Sequence, residues 1–227
     1  MPENAPVQPV PAATVILLRD APGGIETLLL RRNSQLAFHG GSWVFPGGRV
    51  DPEDFDPAIP DDVDAAAAAA AVREAKEEAG LDVPIDQLIY FSHWTTPVGM
   101  PKRFSTWFYL APAQDADVEI DGGEIHDHAW HSPASALEAQ GAGEIELPAP
   151  TFVSLLGLAE FSTVEETMRA HAERPAEIYV PRNQKVPGGR LSLYHGDAGY
   201  DTETADADGA RHRLWMVESG WRYERAG

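Results

Sequence analysis

The chain of 227 residues contains no cysteine, which excludes disulfides, thiolate metal ligands and cysteine nucleophiles. It is also poor in positive charge, with 17 Lys and Arg against 36 Asp and Glu and a formal net charge of −19. A nucleic-acid surface needs a clustered basic footprint, so no nucleic-acid partner is expected. An anionic substrate would have to be drawn in by metal ions and a few local Arg or Lys residues. No run approaches the ~18 consecutive apolar residues of a membrane span, and no membrane partner is expected. No basic segment followed by an apolar stretch opens the chain, and Pro2, Pro6, Pro9 and Pro11 favour an extended arm over residues 1–12. The expected location is the cytoplasm. What is abundant is apolar surface: 43% of the residues are hydrophobic, enough for a sizeable core in one large domain or a domain with an appendage.

The densest chemistry lies in Arg73-Glu74-Ala75-Lys76-Glu77-Glu78-Ala79-Gly80-Leu81. The run from Asp64 to Ala79 is built from strong helix formers, with Asp61, Asp62 and Asp64 as caps and Gly80 as the stop. Residues three and four apart share a helix face, so Glu74 projects beside Glu77 and Glu78. Like charges at that spacing repel. Hard oxygen ligands gathered in this way suit Mg²⁺ or Mn²⁺; a solvated acidic face is the alternative. Upstream, the Gly47-Gly48 pair lets the backbone approach a metal or phosphate that a Cβ would obstruct.

Strands are predicted at 13–19, 25–32, 43–45, 87–94 and 104–110, with a loop at 95–102 and a short helix at 133–140. Beyond about Pro148 the pattern predicts helices at 151–160 and 164–173, the second capped by Ser162 or Thr163. Strands follow at 177–180, 189–194, 212–217 and 221–223, and the acidic stretch 197–208 reads as a mobile loop. These elements suit a mixed sheet packed between helices.

Arg73, Glu74, Ala75, Glu77, Glu78, Gly80 and Leu81 fill without a break the second half of G-x5-E-x7-R-E-φ-x-E-E-x-G-φ, the signature of the Nudix hydrolases, which the chain resembles. The signature sets its opening glycine 14 positions before the arginine, whereas Gly48 lies 25 before Arg73, so about 11 residues are inserted. Counted back from Arg73, the upstream box glutamate falls on Ala65 and has no clear equivalent. Leu28-Leu-Leu-Arg-Arg32, Leu36, His39, Gly41 and Phe45-Pro-Gly-Gly48 follow the spacing of the coenzyme A diphosphatases of this superfamily, as do Trp94-Thr-Thr-Pro97, Arg103-Phe104, Thr106 and Phe108-Tyr109. The tail is similar to that of the peroxisomal acyl-CoA diphosphatase branch. The resemblance implies an α/β/α sandwich over residues 13–147. The changed pattern beyond it reads as a helical and β appendage over 148–227 that caps the site or builds a homodimer interface, because such strands do not stand alone.

Hydrolysing a pyrophosphate means bringing water to a phosphorus whose oxygens are already anionic, and divalent metals screen that charge. Glu74 and Glu78, one turn apart, are the expected ligands, with Glu77 binding directly or through water. The resemblance adds the carbonyl of Gly47. Arg73 is expected to orient a ligand carboxylate, and Glu124 to serve as a further ligand or as the base that accepts a proton from water. Arg32, His39 and Arg103 are the expected substrate contacts, with salt bridges and structural hydrogen bonds as the alternative. Trp94 and Phe104 read as core more readily than as adenine platforms. His126, His128 and His131 lack a zinc-ligand pattern and read as surface residues. The implied activity is cleavage of coenzyme A or acyl-CoA to 3′,5′-ADP and a phosphopantetheine product. An ADP-ribose or NADH pyrophosphatase, or a silent nucleotide-sensing module, is the alternative.

Overall fold

A computed structural model of the chain describes residues 7–35, 40–114, 117–120 and 122–226. In chain order the elements are β1 (Val10–Ala21), β2 (Gly24–Arg32), β3 (Trp43–Val44), β4 (Gly47–Arg49), α1 (Val63–Ala79), β5 (Ile89–Thr95), β6 (Phe104–Pro112), β7 (Ile125–His131), α2 (Pro133–Gly141), α3 (Ala149–Leu158), α4 (Val164–Ala172), β8 (Glu177–Tyr179), β9 (Arg182–Val186), β10 (Gly189–Leu193), β11 (Arg211–Val217) and β12 (Gly220–Ala226). Two compact units emerge. The larger comprises Pro11–Ser92 and Thr106–Ala176; the smaller comprises the described residues of Met1–Val10, His93–Ser105 and Glu177–Gly227. Helices α3 and α4 thus group with the larger unit.

In the larger unit α1 begins where Asp62 Oδ1 accepts the amide of Ala65 at 3.0 Å and ends at Gly80, whose φ of 71° only glycine adopts without strain. Its inner face is a stripe of Ala67, Ala70, Ala71, Ala75 and Ala79, fully buried against Val15, Leu17, Leu28 and Leu30. Alternate side chains of a strand point to opposite faces, and Ile16, Leu18 and Leu29 are fully buried as well, so both faces of the sheet are covered. On the second face α2 packs on β2 and β7, and α3 packs on α2. Strands lie in the order β3-β2-β1-β6-β5, with β4 paired to β1 and β7 to β2. This is the expected α/β/α arrangement.

Strands β4 and β7 were not predicted. Gly47-Gly48-Arg49 has no strand propensity of its own, and β7 reads Ile-His-Asp-His-Ala-Trp-His, three histidines and an aspartate in seven residues. Both form because a partner is waiting: β4 against Ala12–Thr14 of β1, β7 along Thr27–Arg32 of β2. The arm expected over residues 1–12 also differs, since β1 starts at Val10, whose amide donates to the carbonyl of Arg103 at 2.8 Å.

The smaller unit is built on the antiparallel sheet β12-β11-β10-β9. Trp94 lies flat on Tyr179 at 4.0 Å, and Tyr194 meets both rings edge-on. The stretch 197–208, predicted as a mobile loop, is folded down instead. Arg213, with a side chain 2% exposed, holds the fully buried Asp197 through two bonds of 2.7 and 2.6 Å and donates to the carbonyl of Ala205 at 2.6 Å. A buried guanidinium needs such partners, and those partners fix the segment.

Candidate active site

Small side chains set the site. The alanine stripe lets α1 lie close to the sheet, so that Glu78, only 6% exposed, reaches the amide of Gly47, which donates to its Oε2 at 2.9 Å. A Cβ on Gly47 would strike Ala13 and Thr14 of β1, and one on Gly48 would strike the carboxylate of Glu74. The two glycines therefore admit strand and carboxylate together. Burial pushes the Glu78 carboxyl up from 4.5 to about 8, against the opposing bond from Gly47 and with the help of Glu74. Burial also raises Glu74, opposed by Arg73.

Arg73 is the hub beside them. Its Nη1 donates to Glu74 Oε1 and Glu77 Oε2, both at 2.9 Å, and its Nη2 donates to the carbonyl of Arg49 at 2.9 Å. Nε and Nη2 grip the two carboxylate oxygens of Asp54, each at 3.0 Å, and Asp54 Oδ2 also accepts the amide of Asp51 at 2.8 Å. The Asp54 side chain is 4% exposed, and its hydrogen bond is the largest influence holding the Arg73 guanidinium protonated. Asp54 was missed by the count back from Arg73, which ends on Ala65. Counted forward from Gly48 it lies at the G-x5-E position, as an aspartate, so the inserted residues fall after it rather than before it.

Glu124 stands just ahead of β7 at the end of β2. The amide of Asn33 donates to its carbonyl at 2.7 Å, and Arg32 Nη2 donates to its Oε2 at 3.2 Å. Arg32 and Glu124 both act on Glu78, the first pulling its pKa down and the second pushing it up, and Glu124 acts likewise on Glu74. Arg32, Glu74, Glu78 and Glu124 are therefore one electrostatic cluster.

The sequence matches the NUDIX domain over residues 8–148, more than half of the chain. The chain belongs to the Nudix family. It is 30% identical over 119 residues to the acyl-coenzyme A diphosphatase NUDT19 of Gallus gallus, covering 48% of this chain and 32% of that protein. To the NUDT19 of Homo sapiens it is 30% identical over 116 residues, covering 48% of this chain and 31% of the relative. The chain thus matches about a third of the length of these curated relatives. Among solved structures, a NUDIX hydrolase from Alicyclobacillus acidocaldarius superposes with a TM-score of 0.66 at 24% identity, over 74% of this chain and 99% of the other, a likeness in fold.

The remaining Nudix-site expectations divide. His39 lies outside the described residues. Arg103 is 8% exposed and two of its guanidinium nitrogens go to backbone carbonyls, Nε to Thr96 at 3.0 Å and Nη1 to Val7 at 2.8 Å. Trp94 is buried in the aromatic stack of the smaller unit. His126, His128 and His131 lie along β7, with His131 edge-on to Trp43 at 5.8 Å. Among the described residues no three acidic or histidine side chains stand close enough together to hold one metal ion as they are. The donor chemistry nevertheless fits a hard divalent cation: two desolvated carboxylates one turn apart, both raised in pKa, gain most from a positive ion.

Proposed function

We propose that this Nudix chain is a metal-dependent pyrophosphohydrolase that cleaves a nucleoside diphosphate linked to another moiety, with coenzyme A or acyl-CoA preferred. The observation that carries this reading is the pair Glu74 and Glu78, desolvated one turn apart and buttressed by Gly47, Arg73 and Asp54. Glu74 and Glu78 would hold Mg²⁺ or Mn²⁺, with Glu77 joining directly or through water and the Gly47 carbonyl completing the set. A cation held there would screen phosphate charge and acidify water. The chain's own residues do the rest. Arg73, pinned by Asp54, fixes the carboxylates of Glu74 and Glu77. Arg32 donates to a pyrophosphate oxygen. Glu124 accepts the proton of the attacking water, whose oxygen bonds to one phosphorus while the bridging oxygen leaves with the other phosphate. Coenzyme A would yield 3′,5′-ADP and 4′-phosphopantetheine.

The preference for coenzyme A draws on the spacing Arg32…His39…Phe45-Pro-Gly-Gly48 and on the two relatives named as acyl-coenzyme A diphosphatases. A panel of CoA, acyl-CoA, ADP-ribose, NADH and diadenosine polyphosphates with Mg²⁺ or Mn²⁺, products resolved by chromatography, tests it. Release of 3′,5′-ADP from CoA supports the reading. Turnover of ADP-ribose or NADH alone would shift the substrate, and no turnover of any compound would leave a nucleotide-sensing module.

A further inference from the structure

We propose that Arg32 and Glu124 form a latch worked by the substrate: unliganded, Glu124 holds the Arg32 guanidinium, and an incoming nucleoside diphosphate takes the guanidinium over from it. The inference rests on the pyrophosphohydrolase reading of the same site.

Backbone geometry brings the two side chains together and fixes their roots. Arg32 donates its amide to the carbonyl of Ser42 and accepts the amide of Gly41, each at 3.0 Å. Next to it, Asn33 anchors the other side, with its amide on the carbonyl of Glu124 at 2.7 Å and its Nδ2 on that of Gly123 at 3.1 Å. Between Arg31 and Arg32 the β2–β7 ladder shifts register, so that Arg32 faces Ile125, one residue beyond Glu124. A bulge of this kind re-aims side chains at a strand end. With both backbones pinned, a change of partner needs only side-chain rotation.

The resting pair is easily exchanged. The Arg32 side chain is 19% exposed but Glu124 is 62% exposed and the N–O distance is 3.2 Å, so water competes for the carboxylate and the pair contributes little. A phosphate offers the guanidinium charge-assisted, two-pronged bonding. The resting pose also leaves Arg32 Nε buried with no hydrogen-bond partner among the described residues, a penalty that a re-aimed guanidinium relieves. Glu124 stands in the same electrostatic cluster as Glu74 and Glu78.

The test is ADP binding by calorimetry to the full chain in chelator, where turnover plays no part. Parent, Glu124→Gln, Arg32→Gln and the double variant are compared, with Arg32→Met in place of Arg32→Gln if the latter melts early. Removing the competing carboxylate should tighten ADP binding about two- to fivefold, the strength of an ion pair whose carboxylate faces water. The gain should vanish when Arg32 is also replaced. An equal gain with and without Arg32 would reduce Glu124 to general repulsion and overturn the latch, as would no gain, or no ADP binding by either parent or Glu124→Gln. Failure of the pyrophosphohydrolase reading itself would show separately, as no turnover in the metal-loaded substrate panel.

Discussion

Arg73 and Asp54 meet across 19 positions of sequence through two parallel N–H···O bonds of 3.0 Å each, and this joint sets the edge of the carboxylate cluster. Because the same guanidinium also holds Glu74 and Glu77, loosening it releases both. Asp54→Ala should lower kcat about 10–100-fold, the usual cost of losing a group that orients metal ligands. Stability should fall by about 1–3 kcal/mol, since Arg73 Nε and the amide of Asp51 lose their acceptor. Asp54→Glu, which restores the signature residue, should recover part of the loss. Parent turnover and parent melting temperature in Asp54→Ala would remove Asp54 from the site.

A second prediction concerns Glu78 and pH. The folded carboxyl, pushed up to about 8 from 4.5, binds its proton more tightly than the unfolded one. Its contribution to stability is therefore fully present below pH 4.5 and is lost as the pH rises through about 8. Metal-free protein should lose melting temperature across that window, and Mn²⁺ should restore most at the alkaline end, where it replaces the missing proton. Glu78→Gln should flatten the slope, keep the fold and lower turnover by orders of magnitude. Thermal melts at several pH values with and without Mn²⁺, beside turnover assays, separate these effects; parent turnover in Glu78→Gln would refute the assignment.

Helix α1 was legible in the sequence because its signals are local: an aspartate cap, an alanine run, Glu74 and Glu78 four apart, and Gly80 as the stop. Strands β4 and β7 were not, because diglycine and alternating histidines become strands only through partners supplied by β1 and β2. Asp54 was hidden by the direction of counting across an insertion. Arg103 looked like a substrate contact because its neighbours fit a motif, yet the carbonyl of Val7 that holds its Nη1 lies 96 positions away. Spacing identifies residue types; where a guanidinium points depends on the tertiary fold.

The two arginines now separate by experiment. Arg32 lies in the cluster with Glu78 and Glu124, where the pyrophosphate would sit, so Arg32→Ala should reduce kcat/KM for CoA and for 3′-dephospho-CoA alike. A charge-assisted hydrogen bond of about 1.5–3 kcal/mol sets that loss at about 10–150-fold. Arg103→Ala should instead lower the melting temperature and leave the ratio of the two kcat/KM values unchanged. A selective penalty on CoA in Arg32→Ala would move that guanidinium to the 3′-phosphate.

The last prediction concerns the smaller unit, where Arg213 and Asp197 form a pair almost wholly out of solvent. Burial pushes the Asp197 carboxyl up, but the bonds from Arg213 and from the amides of His212 and Gly199 outweigh it and bring it down from 3.8 to about 2. The stability it contributes is present above pH 3.8 and is lost as the pH falls through about 2. Removing one partner strands the other charge, so Asp197→Ala should cost about 3–5 kcal/mol. Arg213 also tethers the chain at Ala205, so losing Asp197 should open residues 198–208 to protease. Limited proteolysis with mapping of the first cleavage checks this: early cuts within that stretch in Asp197→Ala, and none in the parent, are expected. Equal protection in both would show that the ion pair does not hold the segment.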